Sequence, residues 1–179
     1  MEQVRGVASM EITIKNASPK DMEVAFDFLK KAAVWLKGKN IDYWQNWKNP
    51  TDIHMQWIKD GFDRGEFFFV YNCENTIVGM YRLQFSDEMF WGRRDDKAGS
   101  IHSFTTNREF KRQGVGCLIL NTIEKELDEK GFAYLRLTCS PDIKGLCDYY
   151  ENYGFQSRGI ILLYGEKLRL YEKRIGAHV

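Results

Sequence analysis

The segment from Ser100 to Gly131, SIHSFTTNREFKRQGVGCLILNTIEKELDEKG, constrains the fold more than any other. SIHSFTTN reads as a strand, and Val115, Leu118, Ile119, Ile123 and Leu127 fall on one face of a helix. Lys130 suits the negative helix end, and Gly131 suits a left-handed cap. The junction between strand and helix packs Gly114 and Gly116 behind a basic stretch. Such a junction aims free backbone N–H groups and the positive end of a helix dipole at one spot, which suits phosphate. Gly114 and Gly116 bring no side chain to keep a phosphate off the backbone, and Lys111 and Arg112 add charge-assisted bonds. No GK[ST] follows, so this is not a nucleoside-triphosphate loop of Walker type, and it does not spell GxGxxG. On these residues alone, a plain glycine turn with solvated basic side chains fits equally well.

The rest of the chain extends this unit into an α/β pattern. MEITIKNA alternates as a first strand. Ser18 as N-cap, Pro19 at the first helical position and Asp21 in the first turn open a helix. Its stripe is Met22, Ala25, Phe26, Leu29, Ala32, Ala33 and Leu36, with Gly38 as a stop. A second helix from about Thr51 carries Ile53, Trp57, Ile58 and Phe62. EFFFVYN and TIVGMYRLQF read as a hairpin joined through turn chemistry at Asn72 to Asn75. SDEMFWGRRDDKAG reads as a loop, FAYLRLTCS as a buried strand and PDIKGLCDYYENYG as a short helix closing at Gly154. The last segment, GIILLYGEKLRLYEKRI, reads as a strand or hairpin. No repeat or linker divides the 179 residues, so one domain over residues 10–179 with a tail over 1–9 is expected.

Lys+Arg 26 against Asp+Glu 25 leaves a formal charge of +1. That is no field for gathering nucleic acid or an anionic membrane. Cys73, Cys117, Cys139 and Cys147 form no CxxC pair, which favours reduced thiols, a cytoplasmic setting and no metal site. The longest apolar run, FFFVY, is too short to cross a bilayer.

Lys111-Arg112-Gln113-Gly114-Val115-Gly116 resembles the Arg/Gln-x-x-Gly-x-Gly/Ala signature of the GNAT superfamily of acetyl-CoA-dependent N-acyltransferases, with Lys111 at the usual Arg or Gln. IHSFTTNREF resembles the family's fourth strand, YLRLTC its fifth, and LCDYYENYGF its closing helix, with Tyr150 and Gly154-Phe155 in register. The resemblance runs from about Met10 to Ile175; WLKGKNIDYW and MFWG are similar to segments of one subgroup. Ile143 departs from a frequent asparagine, and Arg108 from a frequent proline.

The resemblance implies a mixed, centrally splayed sheet of six or seven strands flanked by about four helices. It implies acetyl transfer from acetyl-CoA to a primary amine, on a small molecule or a peptide, in a ternary complex. Backbone amides of Gln113, Gly114, Val115, Gly116 and Cys117, with Lys111 and Arg112, would hold the pyrophosphate. The pantetheine arm would lie between open strand edges at Phe104, Thr105 and Thr106 on one side and about Thr138 and Cys139 on the other. Tyr150 would protonate the departing thiolate, although the stripe Ile143, Leu146, Cys147, Tyr150 equally suits a core residue.

His102 is the candidate base, read as sharing a strand face with Phe104; Asp87 and Glu88 are looser candidates, and His54 and His178 have no supporting context. Tyr43, Trp44, Trp47, Phe90 and Trp91 are candidate walls of an acceptor pocket. The alternatives are a non-catalytic acyl-CoA-binding regulatory module and a nucleotide-binding module. The final strand is also suited to extending a sheet across a homodimer.

Overall fold

The computed structural model describes residues 10–176. The expected tail and His178 lie outside them. In chain order the elements are β1 (Ile12–Asn16), α1 (Met22–Gly38), α2 (Asp52–Asp63), β2 (Phe67–Asn72), β3 (Ile77–Gln84), a single turn α3 (Glu88–Trp91) and β4 (Ala98–Thr106). They continue with α4 (Val115–Glu129), β5 (Tyr134–Cys139), α5 (Lys144–Tyr153), β6 (Gln156–Leu163) and β7 (Glu166–Arg174). The strands form one seven-stranded sheet in the order β1-β2-β3-β4-β5-β7-β6. Only β4 and β5 run parallel; the other neighbours are antiparallel. The expected mixed sheet is therefore present, and the last segment is a hairpin rather than one strand.

Local chemistry explains the element boundaries. Ser18 and Asp21 close a capping box, the Ser18 hydroxyl donating to Asp21 Oδ2 at 2.8 Å, and Pro19 starts a 3-10 turn that leads into α1. At the second helix Thr51 and His54 cap the end, Thr51 Oγ1 and His54 Nδ1 lying 2.7 Å apart. In the β2–β3 turn Asn72 Oδ1 accepts from the backbone of Glu74 and Thr76 at 3.1 and 2.9 Å, and Asn75 takes the left-handed conformation.

Helices cover both faces. Val115, Ile119, Leu120, Ile123 and Leu127 of α4 join Tyr81, Ile101, Leu135, Leu137 and Tyr171 in one core cluster. Leu120 is fully buried while Leu118 is only half-buried, so the buried stripe of α4 is rotated slightly from the expected one. On the other face Ala25, Leu29 and Ala33 of α1 and Ile58 and Phe62 of α2 pack on Phe67, Phe69 and Met80. Each fully buried Leu, Ile or Phe contributes about 1.5–3 kcal/mol.

Two guanidinium groups are buried in the sheet. Arg82 donates to Glu66 Oε2 and to the Trp57 carbonyl, both at 2.8 Å, and stacks 3.9 Å from the centre of the Trp57 ring. Arg136 donates to Glu172, its register partner on β7, and pairs with both oxygens of Asp96. That pairing outweighs burial and holds the Asp96 carboxyl below its ordinary range. Asp96 thereby ties the loop after α3 to the sheet.

Gly61 marks where α2 approaches the sheet most closely: a Cβ built there would lie 2.5 Å from the Phe67 ring and 2.8 Å from Arg82 Nε. Gly61→Ala gains about 1 kcal/mol of helix propensity but overpacks two buried groups, at about 1–3 kcal/mol. The substitution is expected to lower the urea midpoint of unfolding; an unchanged or raised midpoint would contradict the packing.

Candidate active site

The site begins with a defect in β4. Met80 pairs with Thr105 and Arg82 with His102, so Ser103 and Phe104 together face Tyr81 alone. This is a β-bulge, and Ser103 takes a positive φ of 51° within it. The β4–β5 ladder runs from Ala98–Tyr134 to Ile101–Leu137 and ends there. Beyond it β5 stays with β7, Thr138 opposite Leu170 and Cys139 opposite Arg169. The two parallel strands therefore diverge, and beyond the ladder the backbone of Phe104 and Thr106 has no partner on β5, whereas Thr105, expected to share that open edge, is paired with Met80 of β3.

At the end of β4 the chain turns into α4. The Asn107 side chain accepts from Glu109 N at 3.0 Å and donates to the Ile77 carbonyl at 3.2 Å, anchoring the turn to β3. Arg112 and Gly114 both take left-handed φ, 63° and 72°. A non-glycine residue held there stores strain of about 1–3 kcal/mol. The first intrahelical bond is Leu118 N to Gly114 O at 3.0 Å, so the N–H groups of Val115, Gly116 and Cys117 precede the helical ladder. Lys111, Arg112, Gln113 and Gly114 are exposed, while Val115 is anchored in the core. This is the geometry of an anion cradle.

Tyr150 of α5 is buried among Tyr149, Phe155 and Tyr171, at ring-centre distances of 5.4, 5.8 and 6.0 Å. Burial, reinforced by Cys139 and Tyr43, pushes its phenol well above the ordinary value. It stays protonated at neutral pH. Tyr43, from the loop between α1 and α2, meets the same groups and Ser140 at the end of β5, and burial raises its phenol as well.

His102 lies on the opposite side of β4 from Phe104. Phe104 packs with the cluster under α4, whereas the His102 ring meets Trp57 at 5.5 Å and Phe90 at 4.6 Å. The shared face expected from sequence is thus incorrect, because the extra residue of the bulge reverses the alternation. His102 Nε2 sits 2.8 Å from Asp87 Oδ2, both side chains being over nine-tenths buried. Asp87 is therefore no solvated loop acid, whereas Glu88 is exposed.

Residues 35–155, from within α1 to two residues past α5, match the acetyltransferase (GNAT) family. The chain belongs to the GNAT family. It is an acyltransferase. It is 25% identical over 165 residues to an uncharacterized N-acetyltransferase, YesJ, of Bacillus subtilis strain 168, covering 88% of this chain and 87% of that protein. Its fold resembles a GNAT acetyltransferase from Listeria monocytogenes (TM-score 0.73, 24% identity, 93% of this chain and 96% of the other). It also resembles a GNAT acetyltransferase from Elizabethkingia anophelis whose structure holds acetyl-CoA (TM-score 0.59, 17% identity, 93% and 99%).

Within this GNAT frame the expected acceptor-wall aromatics divide. Tyr43 and Trp44 stack on each other at 5.7 Å, and Phe90 lies on His102 and Trp57. Trp47 is instead a core residue against Phe26 and His54, and Trp91 is buried beneath Arg136 and Arg94. Trp47 fills space under its loop, and Trp91 lines only the small polar cavity beside Arg136 rather than the expected acceptor pocket. Arg108 stacks on Trp35 of α1 at 4.0 Å. Among the described residues no group of three or more His, Cys, Asp or Glu side chains is placed to hold a metal ion, and no helix is long and apolar enough to cross a membrane.

Sequence reasoning overlooked Trp57 and Tyr149. The Tyr149 hydroxyl lies 3.5 Å from Cys117 Sγ and would be only 2.5 Å from a Cβ added to Gly116. Gly116→Ala is therefore expected to cost about 1 kcal/mol or more through overpacking. Tyr149→Phe in the same chain should recover most of that loss. A denaturant double-mutant cycle measures the coupling; additivity would contradict the contact.

Proposed function

We propose that this GNAT protein moves an acetyl group from acetyl-CoA to a primary amine by direct attack in a ternary complex. Residues 10–179 would form its one catalytic domain, working in the cytoplasm. The observation that carries this reading is the coincidence of three features at one end of the sheet: the β4–β5 divergence, the anion cradle at α4 and the buried phenol of Tyr150. A cradle alone suits any phosphate. A cradle leading into a slot edged by free strand backbone suits a pyrophosphate with a long amide-bearing arm.

On this reading the amides of residues 114–117, with Lys111 and Arg112, hold the coenzyme's phosphates; the Gln113 N–H, expected to join them, donates to the Phe110 carbonyl at 3.3 Å. The open edge at Phe104 and Thr106 bonds the arm, and a backbone N–H there polarises the thioester carbonyl. Two protons must leave the attacking ammonium nitrogen as the C–N bond forms and the C–S bond breaks. His102 takes the first and releases it to solvent. The second balances the proton that Tyr150 gives the thiolate. Tyr43, Trp44 and Phe90 contact the acceptor.

Cys139 lies near Tyr150, but burial and its neighbour Cys147 push its thiol strongly up. A thiol held neutral is a poor nucleophile, which favours direct transfer over an acyl-cysteine intermediate.

The test pairs calorimetry with a thiol-release screen using acetyl-CoA and a panel of amino sugars, polyamines, amino acids and peptides with free N-termini. Tyr150→Phe is expected to lower kcat about 100-fold or more while leaving CoA affinity unchanged. Binding of ATP but not CoA would sink the reading. Binding of acetyl-CoA without turnover of any amine would favour a regulatory module.

A further inference from the structure

The His102–Asp87 contact goes beyond what the coenzyme site requires. We propose that Asp87 is the positioning residue for the general base: it fixes the His102 imidazole in one tautomer and orientation, with Nδ1 as the atom that accepts the amine's proton. This rests on the acyl-transfer reading above.

An ionised carboxylate only accepts hydrogen bonds. The 2.8 Å contact with Oδ2 therefore makes His102 Nε2 the donor and leaves the lone pair on Nδ1. The ring plane is set as firmly as the tautomer. Trp57 meets it nearly at right angles, 81°, and Phe90 covers it at 4.6 Å. Asp87 and Phe90 are three residues apart around the single turn α3, whose closure is made by Phe90 N and Trp91 N bonding to the Asp87 carbonyl. One helical turn thus places a carboxylate on the ring's edge and an aromatic on its face. Trp57 is itself held by the stacked Arg82.

The carboxylate is not sealed in apolar surroundings. It lines a cavity of about 50 Å³ together with Ser86, Ser100, Trp91 and Arg136. Trp91 Nε1 is buried with no protein acceptor among the described residues. A polar cavity of this size accommodates water, which gives the proton taken by His102 a way to bulk solvent.

The charges around the pair leave Asp87 as the ion His102 meets directly. Arg82 on β3 is neutralised by Glu66. Across the cavity Arg136 is paired with Asp96 and Glu172, Arg94 lies 3.9 Å from Asp96, and Glu88 is exposed. Trp57 and Phe90 carry no charge.

Two measurements on the full chain test the proposal. In ¹⁵N-histidine-labelled protein, two-bond ¹⁵N–¹H correlations report the tautomer directly; the chain has three histidines, and His102→Gln assigns the signal. A neutral ring protonated on Nε2 is expected, and protonation on Nδ1 would overturn the proposal.

The second measurement is the pH profile of kcat/KM for the amine acetylated fastest in the panel. Asp87→Asn is expected to lower kcat/KM about tenfold or more across the profile, because the ring loses the acceptor that fixes its tautomer. Asp87→Glu should restore part of that loss. A wild-type profile in folded Asp87→Asn, with His102→Gln inactive, would remove Asp87 from the mechanism and leave the base in place. A wild type that acetylates nothing would defeat the acyl-transfer reading, while the tautomer would still decide the role of Asp87.

Discussion

The parting of β4 from β5 after Ile101 and Leu137 is the constraint on which the proposed site depends. Parallel strands in a covered sheet normally stay paired, because unpaired backbone N–H and C=O groups in the interior are costly. Here the Ser103 bulge bends β4 while β5 continues along β7. On the proposed reading, the backbone groups this leaves without a strand partner are satisfied by an amide-bearing ligand. The same bulge sends His102 and Phe104 to opposite faces, giving one strand two chemical surfaces. The fold holds this irregularity because α4 and α5 pack one side while α1 and α2 pack the other.

The buried guanidiniums of Arg82 and Arg136 serve the same end. Removing a charge from water costs several kcal/mol unless partners fully satisfy it. Both groups have carboxylate partners and an aromatic face. Their contribution is best seen in what they fix. Arg82 sets Trp57 against His102, and Arg136 with Asp96 holds the segment that follows α3, a four-residue helix with little stability of its own.

Much of the architecture was legible from residue patterns. Period-two and helical spacings place the elements, and the glycines at Lys111 to Gly116 mark the left-handed turn into α4 because backbone conformation there is written in the residue types. The burial of Tyr150 was legible from its stripe, whereas the role proposed for it rests on the register of its helix. The parity change at Ser103 was not legible, because a serine in a left-handed bulge leaves no mark that separates it from any strand serine. Nor was the pairing of Asp87 with His102, because the Asp87 carboxyl comes from a loop that mixes charges with Met89, Phe90 and Trp91 and so reads both ways. Trp47 and Trp91 misled for a related reason: large rings on loops have the same composition whether they wall a cleft or roof a core.

Tyr149 and Tyr150 are adjacent on α5 yet do different things. Successive helical positions point about 100° apart, so one phenol rests on the turn at Gly116 and Cys117 while the next enters the core beside Cys139. On the proposed reading these contacts mark the two ends of the donor, its phosphates and its thioester. A single rigid helix then acts as a ruler between them. A donor is admitted for the length of its arm as much as for its chemical groups, and a shift of α5 along its axis would change both ends at once.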